Sequence, residues 1–439
     1  MRHAILAGIL AASTPAVAGP DLPPPLTDAD FLPVRADEAR LGQLLFWDPI
    51  LSGNRNISCG TCHHPRFATG DGVSLGLGEG GIGLGPKRVA DPENPPEELI
   101  PRNAPPLFNM GARAVTAMFA DGRIEVDPAR PSGLRTPMEE EMVAGFDNLL
   151  SAQTMFPVLS QDEMAGHYSE NEVAQAARQG FITGKGGAWA LLSDRIAAIP
   201  AYRARFEAVY PAIAAGREIA FTDISNAIAA FVAFEWRSDT APFDEVLRGQ
   251  AQLDGAAARG AALFYGDAGC TGCHSGPLQS DFDFHATGQP QLGPGKAARF
   301  ERHSRDVGRM RVTGRDEDAY AFRTPSLRNV AKTGPWGHAG AFTDLGAFVA
   351  QHADPSAGLD SYPRAVTLPE TELAEGLWTI LDDPAEREEI RAAARLGRAL
   401  SDGEITDILA FLDTLTDPAA LEGRLGIPES VPSGLPIDR

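Results

Sequence analysis

Cys59-Gly60-Thr61-Cys62-His63 and Cys270-Thr271-Gly272-Cys273-His274 decide how this 439-residue chain is read, because together they use all 4 of its cysteines. Two thiols three positions apart on a short turn can form thioethers with the two vinyl groups of one haem, and the adjacent histidine then sits beneath the iron as its proximal ligand. Cys59, Cys62 and His63, and likewise Cys270, Cys273 and His274, are therefore predicted to carry two covalent c-type haems. The rival readings are a zinc site made of all four cysteines, a thioredoxin-like redox pair, or a structural disulfide. A zinc ribbon does not need a histidine directly after each pair, and no βαβ pattern surrounds either motif.

Each motif follows a related segment, Leu41-Gly42-Gln43-Leu44-Leu45-Phe46 in one case and Arg259-Gly260-Ala261-Ala262-Leu263-Phe264 in the other. This weak internal repeat predicts two cytochrome c-like domains in tandem, each opened by a short amphipathic helix packed on its own haem. The expected boundaries are residues 30–240 and 245–420. Ser401-Asp402-Gly403-Glu404 is a capping box, and Ile405, Ile408, Leu409, Leu412 and Leu415 follow at helical spacing, so an amphipathic helix closes the second domain. Glu172 to Ala177, Ala188 to Ile199 and Asp223 to Glu235 read as further helices, punctuated by Pro200, Pro211 and Pro242. The Gly- and Pro-rich stretch from Gly76 to Pro106 is expected to be a loop over the first haem, holding neither a long helix nor a strand. The fold class is mainly α, with long functional loops.

Arg2 and His3 precede an apolar run from Ala4 to Ala12, and Ala16-Val17-Ala18 before Gly19 is a small-x-small cleavage pattern. Residues 1–18 thus read as a secretory signal peptide, and the mature protein as periplasmic. Haem attachment of this type belongs to an exported, oxidising compartment, which agrees. No later run approaches the ~20 apolar residues that span a bilayer, so no membrane span is expected after processing. A net charge of −21 argues against nucleic acid or an anionic membrane as partner. It suits either a basic or neutral protein partner or solubility alone.

Beyond the motifs, the chain resembles the bacterial di-haem cytochrome c peroxidases and their MauG-type relatives over nearly its whole mature length. Pro101-Arg102-Asn103-Ala104-Pro105, Asp121-Gly122-Arg123, Asp306-Val307-Gly308-Arg309, Phe322-Arg323-Thr324-Pro325-Ser326-Leu327-Arg328-Asn329 and Gly334-Pro335-Trp336-Gly337-His338-Ala339-Gly340 carry the resemblance. Singly each is weak, but in this order around two haem sites they are specific. The resemblance implies a peroxidatic N-terminal haem, where hydrogen peroxide meets iron, and a six-coordinate C-terminal haem that stores or relays an electron. It also implies a calcium ion between the domains, at positions matching Asn103, Thr333 and Pro335, the last two through backbone carbonyls. Oxygen-only donors at a loop junction suit a hard cation. A homodimer is a further expectation.

Peroxide chemistry needs an open iron position and a group that moves a proton from the inner to the outer peroxide oxygen. The family supplies a glutamate ten residues after a glutamine. Gln153 and Glu163 keep that separation, so Glu163 is the acid/base candidate and Gln153 its orienter. Read without the resemblance, Glu163 is one loop acid among many. Many family members carry a removable histidine on this iron, where this chain has Leu77, which cannot ligate. The resemblance therefore implies a five-coordinate site ready for peroxide, as in the MauG-type branch. His64 is expected at the surface or on a propionate.

At the second haem, His352 falls where the family places the distal ligand, methionine in the peroxidases and tyrosine in MauG. A bis-histidine iron would have a lower potential than His/Met. Met310 is the runner-up, an exposed helical histidine is the plain alternative for His352, and His338 reads as a structural histidine. The family's tryptophan before Asp-Gly-Arg, a relay between haems, is replaced by Ala120, which leaves Trp336 as the nearest candidate by motif. Asp121 and Arg123 would be scaffold or propionate partners.

The leading function is a periplasmic peroxidase that reduces hydrogen peroxide to water with electrons from a small donor, a cytochrome c or cupredoxin. The alternatives are a MauG-like oxidase that modifies a residue of a partner protein, and a non-enzymatic di-haem electron carrier.

Overall fold

The computed structural model describes residues 22–295, 304–395 and 397–439; the predicted signal peptide, residues 1–18, lies outside them. The helix Ala36–Trp47 carries acids in its first turn, where the helix dipole favours them, and buries Leu41, Leu45, Phe46 and Trp47 on one face. That face lies along Phe221–Glu235, which spans the predicted Asp223-to-Glu235 helix and two residues more. Gly42 is required at the crossing, since a Cβ there would sit 1.8 Å from the Ala227 carbonyl oxygen.

The second member of the repeat is built the same way. Helix Gly255–Phe264 lies along Asp402–Asp413, and a Cβ on Gly260 would sit 1.9 Å from the Asp407 carbonyl oxygen. The shared glycine in the two segments thus has one physical reason, a close helix crossing beside each Cys-x-x-Cys-His. Ser401 caps the closing helix through Glu404 as predicted. Each pair builds its own aromatic core: Phe46, Phe231 and Trp236 meet at 5.2–5.3 Å between ring centres, and Phe243, Phe264 and Phe411 meet at 5.1 Å. The first motif packs on the first core and Cys270 on the second.

Pro200, Pro211 and Pro242 each open a helix, Pro200–Val209, Pro211–Ala214 and Pro242–Leu247, rather than only ending the one before. Proline suits a first helical position, whose N–H has no partner in any case. Strands are two or three residues long and form three small antiparallel sheets among the described residues, so the protein is mainly helical. One correction concerns the stretch from Gly76 to Pro106. It holds a strand pair, Gly81–Ile82 with Val89–Ala90, because a reversal through the turn Gly85–Lys87 lets the crossing backbone pair with itself.

Polar contacts tie the two halves together. Arg323 N–H donates to the Ala120 carbonyl at 2.8 Å, Arg309 reaches Glu125 at 2.6 Å, and Arg102 pairs with Asp306 at 3.1 Å while lying over the Phe322 ring. Segment 421–439, beyond both expected domain ranges, returns to the first core, into which Leu421, Leu425, Ile427, Val431, Leu435 and Ile437 pack. Gln43 donates to the Leu425 and Gly426 carbonyls, Glu235 accepts from both their N–H groups, and Thr61 Oγ1 donates to Asp438 at 2.5 Å.

Arg328, from the Phe322-to-Asn329 segment, forms a completely buried ion pair with Asp244 at 2.7 Å and donates to the Pro277 carbonyl. Removing one partner strands the other charge in the interior. Arg328→Met should therefore cost about 3–5 kcal/mol, read as a lowered guanidinium midpoint of the holoprotein. A shift worth under ~1 kcal/mol would show that Asp244 finds another partner.

Candidate haem sites

The two histidines of the motifs are prepared alike. His63 ends the one-turn helix Cys59–Cys62, and its Nδ1 lies 3.0 Å from the Thr69 carbonyl; His274 follows the turn Cys270–Gly272, and its Nδ1 lies 3.0 Å from the Gln279 carbonyl. A carbonyl can only accept, so each Nδ1 carries the hydrogen and each Nε2 keeps its lone pair. Burial is the main influence on both rings and pushes both pKa values down, which keeps the imidazoles neutral and fit to ligate.

Burial also pushes the Cys59 and Cys62 thiols up to about 12 and Cys270 up to about 11. A redox-active Cys-x-x-Cys pair has a lowered thiol pKa, and the shift here runs the other way, which argues against the thioredoxin-like reading. The four-cysteine zinc reading fails. Among the described residues the one group with metal-ligand spacing is Cys273, Asp281 and His285, which contains no cysteine of the first motif.

Two buried arginines fit the acidic edge of a haem. Arg88 has a buried Nε with no protein partner and lies within electrostatic reach of Cys62 and Asp71. Arg323 hydrogen-bonds through its side chain to the Phe119 carbonyl and lies over the Phe282 ring, and burial pushes its pKa down to about 10. Among the described residues neither has a carboxylate at ion-pair distance. A buried guanidinium in that state is costly until an anion joins it, and haem propionates are such anions. With attachment cysteines, neutral histidines and unpaired cations present in both halves, the residues fit two c-type haems.

Burial raises the Cys62 thiol first of all; Arg88 opposes, and the Asp71 and Glu163 carboxylates add to the shift, which puts Glu163 within electrostatic reach of the first motif. Asp71 itself is pushed up to about 6 by burial, against a Val73 N–H bond and Arg88. Glu163 stands in a single π-turn, Gln161–Ala165, a rare winding that recurs at functional sites. Gln153 is half-buried in the last turn of helix Leu149–Thr154, and the turn Pro157–Leu159 joins the two segments. Leu77 is buried at 1 % exposure in an apolar cluster with Leu75, Leu99 and Phe342. Its loop touches the π-turn directly, the Glu79 N–H donating to the Asp162 carbonyl at 3.0 Å.

His64 corrects the expectation of a surface residue. It is 2 % exposed, edge-on to Trp47, and its Nδ1 accepts from the Arg66 N–H. It caps the turn Pro65–Phe67 and so is drawn under the first core; burial, then Arg66, pushes its pKa down to about 4.

In the second half the ring facing His274 is that of His352, on helix Leu345–Ala353, which Asp344 caps. An imidazole nitrogen binds a first-row metal at about 2 Å, so two rings on one iron have centres roughly 6 Å apart. These two are 6.2 Å apart. Burial, then His274, pushes His352 down to about 4, and the ring packs on Phe348 at 5.4 Å. Met310 begins the short helix Met310–Thr313. His338 is buried, with Nε2 3.1 Å from Asp306, whose carboxyl burial would raise but Arg102 and His338 together hold well below the usual range.

Asn103 Nδ2 lies 3.5 Å from the Pro335 carbonyl, so two of the three calcium candidates meet, and Thr333 stands two residues before Pro335. Trp336 donates its indole N–H to Val330 and packs on the second core. Arg123 bonds Asp121 at 3.0 Å and lies over the Phe119 ring, a scaffold contact. Sequence reasoning did not single out Arg88, Asp71 or Arg323 for a role, and no periodicity or spacing marks them.

A family model described as di-haem cytochrome c peroxidase matches residues 36–252. The methylamine utilization protein MauG of Methylorubrum extorquens is 29% identical over 394 residues, 89% of this chain and 81% of that protein. Cytochrome c551 peroxidase of Pseudomonas aeruginosa is 28% identical over 399 residues, 90% of this chain and 83% of that protein. Among solved structures, a MauG-like protein associated with microbial copper homeostasis superposes with a TM-score of 0.57 at 26% identity, over 92% of this chain and 97% of that one. Similarity to both a peroxidase and MauG at this coverage, on a framework built to receive a haem in each half, makes this chain a member of the di-haem cytochrome c peroxidase/MauG family.

Proposed function

We propose that the protein is a periplasmic peroxidase that reduces hydrogen peroxide to water with electrons from a small redox protein, a cytochrome c or cupredoxin. The family makes it a haem oxidoreductase. The observation that carries the finer reading is Glu163 on a π-turn beside the first motif, in backbone contact with the loop that presents buried Leu77. When bound, the first haem supplies an iron at which peroxide is reduced and the second an iron that holds an electron. Glu163 moves the peroxide proton from the inner to the outer oxygen, and Gln153 orients it. Leu77 offers no ligand and keeps water scarce. No helix of the described residues is long and apolar enough to cross a membrane.

Residues 30–240 and 245–420 are the two haem units in this reading, and the paired motif helices support it. His352 serves as the second ligand of the C-terminal iron, supported by the ring separation. A calcium ion at Asn103, Thr333 and Pro335 is supported by the meeting of Asn103 and Pro335. With its amide turned over, Asn103 sets an oxygen beside the Pro335 carbonyl, a pair that a cation holds together. The MauG-like alternative shares the Leu77 feature, and the similarity to MauG favours it as second reading.

The test uses matured holoprotein. Mass spectrometry should find two haems that survive denaturation, and the all-ferric form should show a high-spin signal and react with peroxide without prior reduction. Continuous turnover with a reduced cytochrome c or cupredoxin supports the peroxidase. Consumption of peroxide only alongside oxidation of a partner protein's side chain would overturn it in favour of the MauG-like oxidase.

A further inference from the structure

Between the Leu77 loop and the Glu163 turn lies a narrow, partly open cleft, lined by Leu77, Glu79, Glu97, Gln161, Asp162 and His167 among others. Glu79 is 1 % exposed. Its Oε1 accepts from Asn54 at 2.7 Å and Asn56 at 2.6 Å, while its Oε2 is buried with no protein partner. His167 is the other unsatisfied group: both ring nitrogens are buried without a hydrogen bond, and Nδ1 lies 3.5 Å from Glu97 Oε2. That is ion-pair distance without hydrogen-bond geometry. Glu97 is 64 % exposed and accepts from Gln161, the first residue of the π-turn, at 3.0 Å. Glu170 completes the surroundings, accepting from the His167 backbone N–H and from Asn54.

A carboxylate kept only as a staple would satisfy both oxygens, and each buried polar atom left over calls for an explanation. Here the two residues with spare atoms, Glu79 and His167, line one cleft together with Asp162, the residue before Glu163, and with exposed Glu97. Reduction of one hydrogen peroxide breaks the O–O bond and yields two waters; it consumes two electrons, from the redox-protein donor, and two protons. The shuttling by Glu163 moves a proton already on the peroxide and consumes none. Two protons per turnover must therefore come from solvent into a buried site.

We propose that Glu97, His167 and Glu79 form the inlet through which solvent protons reach Glu163. This rests on the reading of Glu163 as the group that moves the peroxide proton. Glu97 takes a proton from water and passes it to one nitrogen of His167. The imidazole releases one from its other nitrogen, as only a two-nitrogen ring can. Glu79 Oε2 receives it along the cleft and hands it on past Asp162.

Glu79→Gln tests the inlet, since it keeps the oxygen that holds the two asparagines and removes the acid. At saturating peroxide and donor, turnover should fall about 10–100-fold. Proton uptake in a single turnover, followed with a pH-indicator dye, should slow by the same factor. The second-order rate of the first encounter with peroxide and both haem spectra should stay unchanged. His167→Phe should act likewise and be partly rescued by added imidazole. Wild-type turnover and proton uptake in both variants would overturn the inlet, as would lost stability or haem content in Glu79→Gln with normal proton uptake. Should His167→Phe fail to fold, Glu79→Gln alone decides. Glu163→Gln is read on the first encounter, so an unchanged rate there means that the Glu163 reading has failed and not the inlet alone.

Discussion

Glu163→Gln should lower the rate of reaction with peroxide by about 10²–10⁴-fold, the usual worth of a positioned acid/base group. Glutamine matches glutamate in size and in hydrogen-bonding reach, so the π-turn Gln161–Ala165 and the Glu79-to-Asp162 bond that braces it should persist. What is lost is the ability to take a proton from one oxygen and give it to the other. Both haem spectra should accordingly stay nearly intact, and stopped-flow mixing of the all-ferric protein with peroxide isolates the loss. An unchanged rate would make Glu163 an ordinary buried-edge acid and leave the peroxide proton to another group.

His352→Ala should convert the C-terminal haem from low-spin to high-spin. The His352 ring lies 6.2 Å from that of His274 between ring centres, and of the rings beside His274 it alone, Phe264 being the other, carries a nitrogen; its helix is fixed at its start by Asp344 and along its side by the closing helix Asp402–Asp413. Alanine removes the donor without breaking that helix, whose other residues keep their packing. His274 stays anchored to Gln279, and the first haem keeps His63. Paramagnetic resonance separates the two irons. If the low-spin signal survives His352→Ala and disappears in Met310→Ala, the second iron is His/Met.

Local features of this molecule were readable because local physics produces them. The cysteine motifs, the Ser401 capping box and the helices from Glu172, Ala188 and Asp223 depend on neighbours within a few positions. Gly42 and Gly260 could be seen as a repeat, although their reason, a helix crossing under 2 Å from a would-be Cβ, appears only once the partner helices are known. The failures are of the opposite kind. His64 is expected at the surface or on a propionate, and the surface half of that reading fails because a histidine after a haem ligand carries no mark of Trp47 packing edge-on against it. Arg88, Glu79 and His167 look like any loop residues until burial leaves polar atoms of theirs without partners, and Arg323 is marked only by the burial that lowers its pKa. The candidate site was legible where a family register could be laid over it and silent where its marks are buried atoms left without partners.

Segment 421–439 has a consequence for how the chain is made. The ribosome delivers residues in order, at about 5–20 per second. The first core is therefore begun early by Ala36–Trp47 and Phe221–Glu235, and finished only when residues translated after the whole second half fold back onto Gln43, Asp48 and Thr61. The unit that starts first is sealed last. A chain cut short after the closing helix would hold a complete second core beside a first one with open apolar flanks, a species for quality-control proteases to recognise. The bond from Thr61 to Asp438, inside the first haem motif, makes the state of that motif a report on whether synthesis ran past the second half.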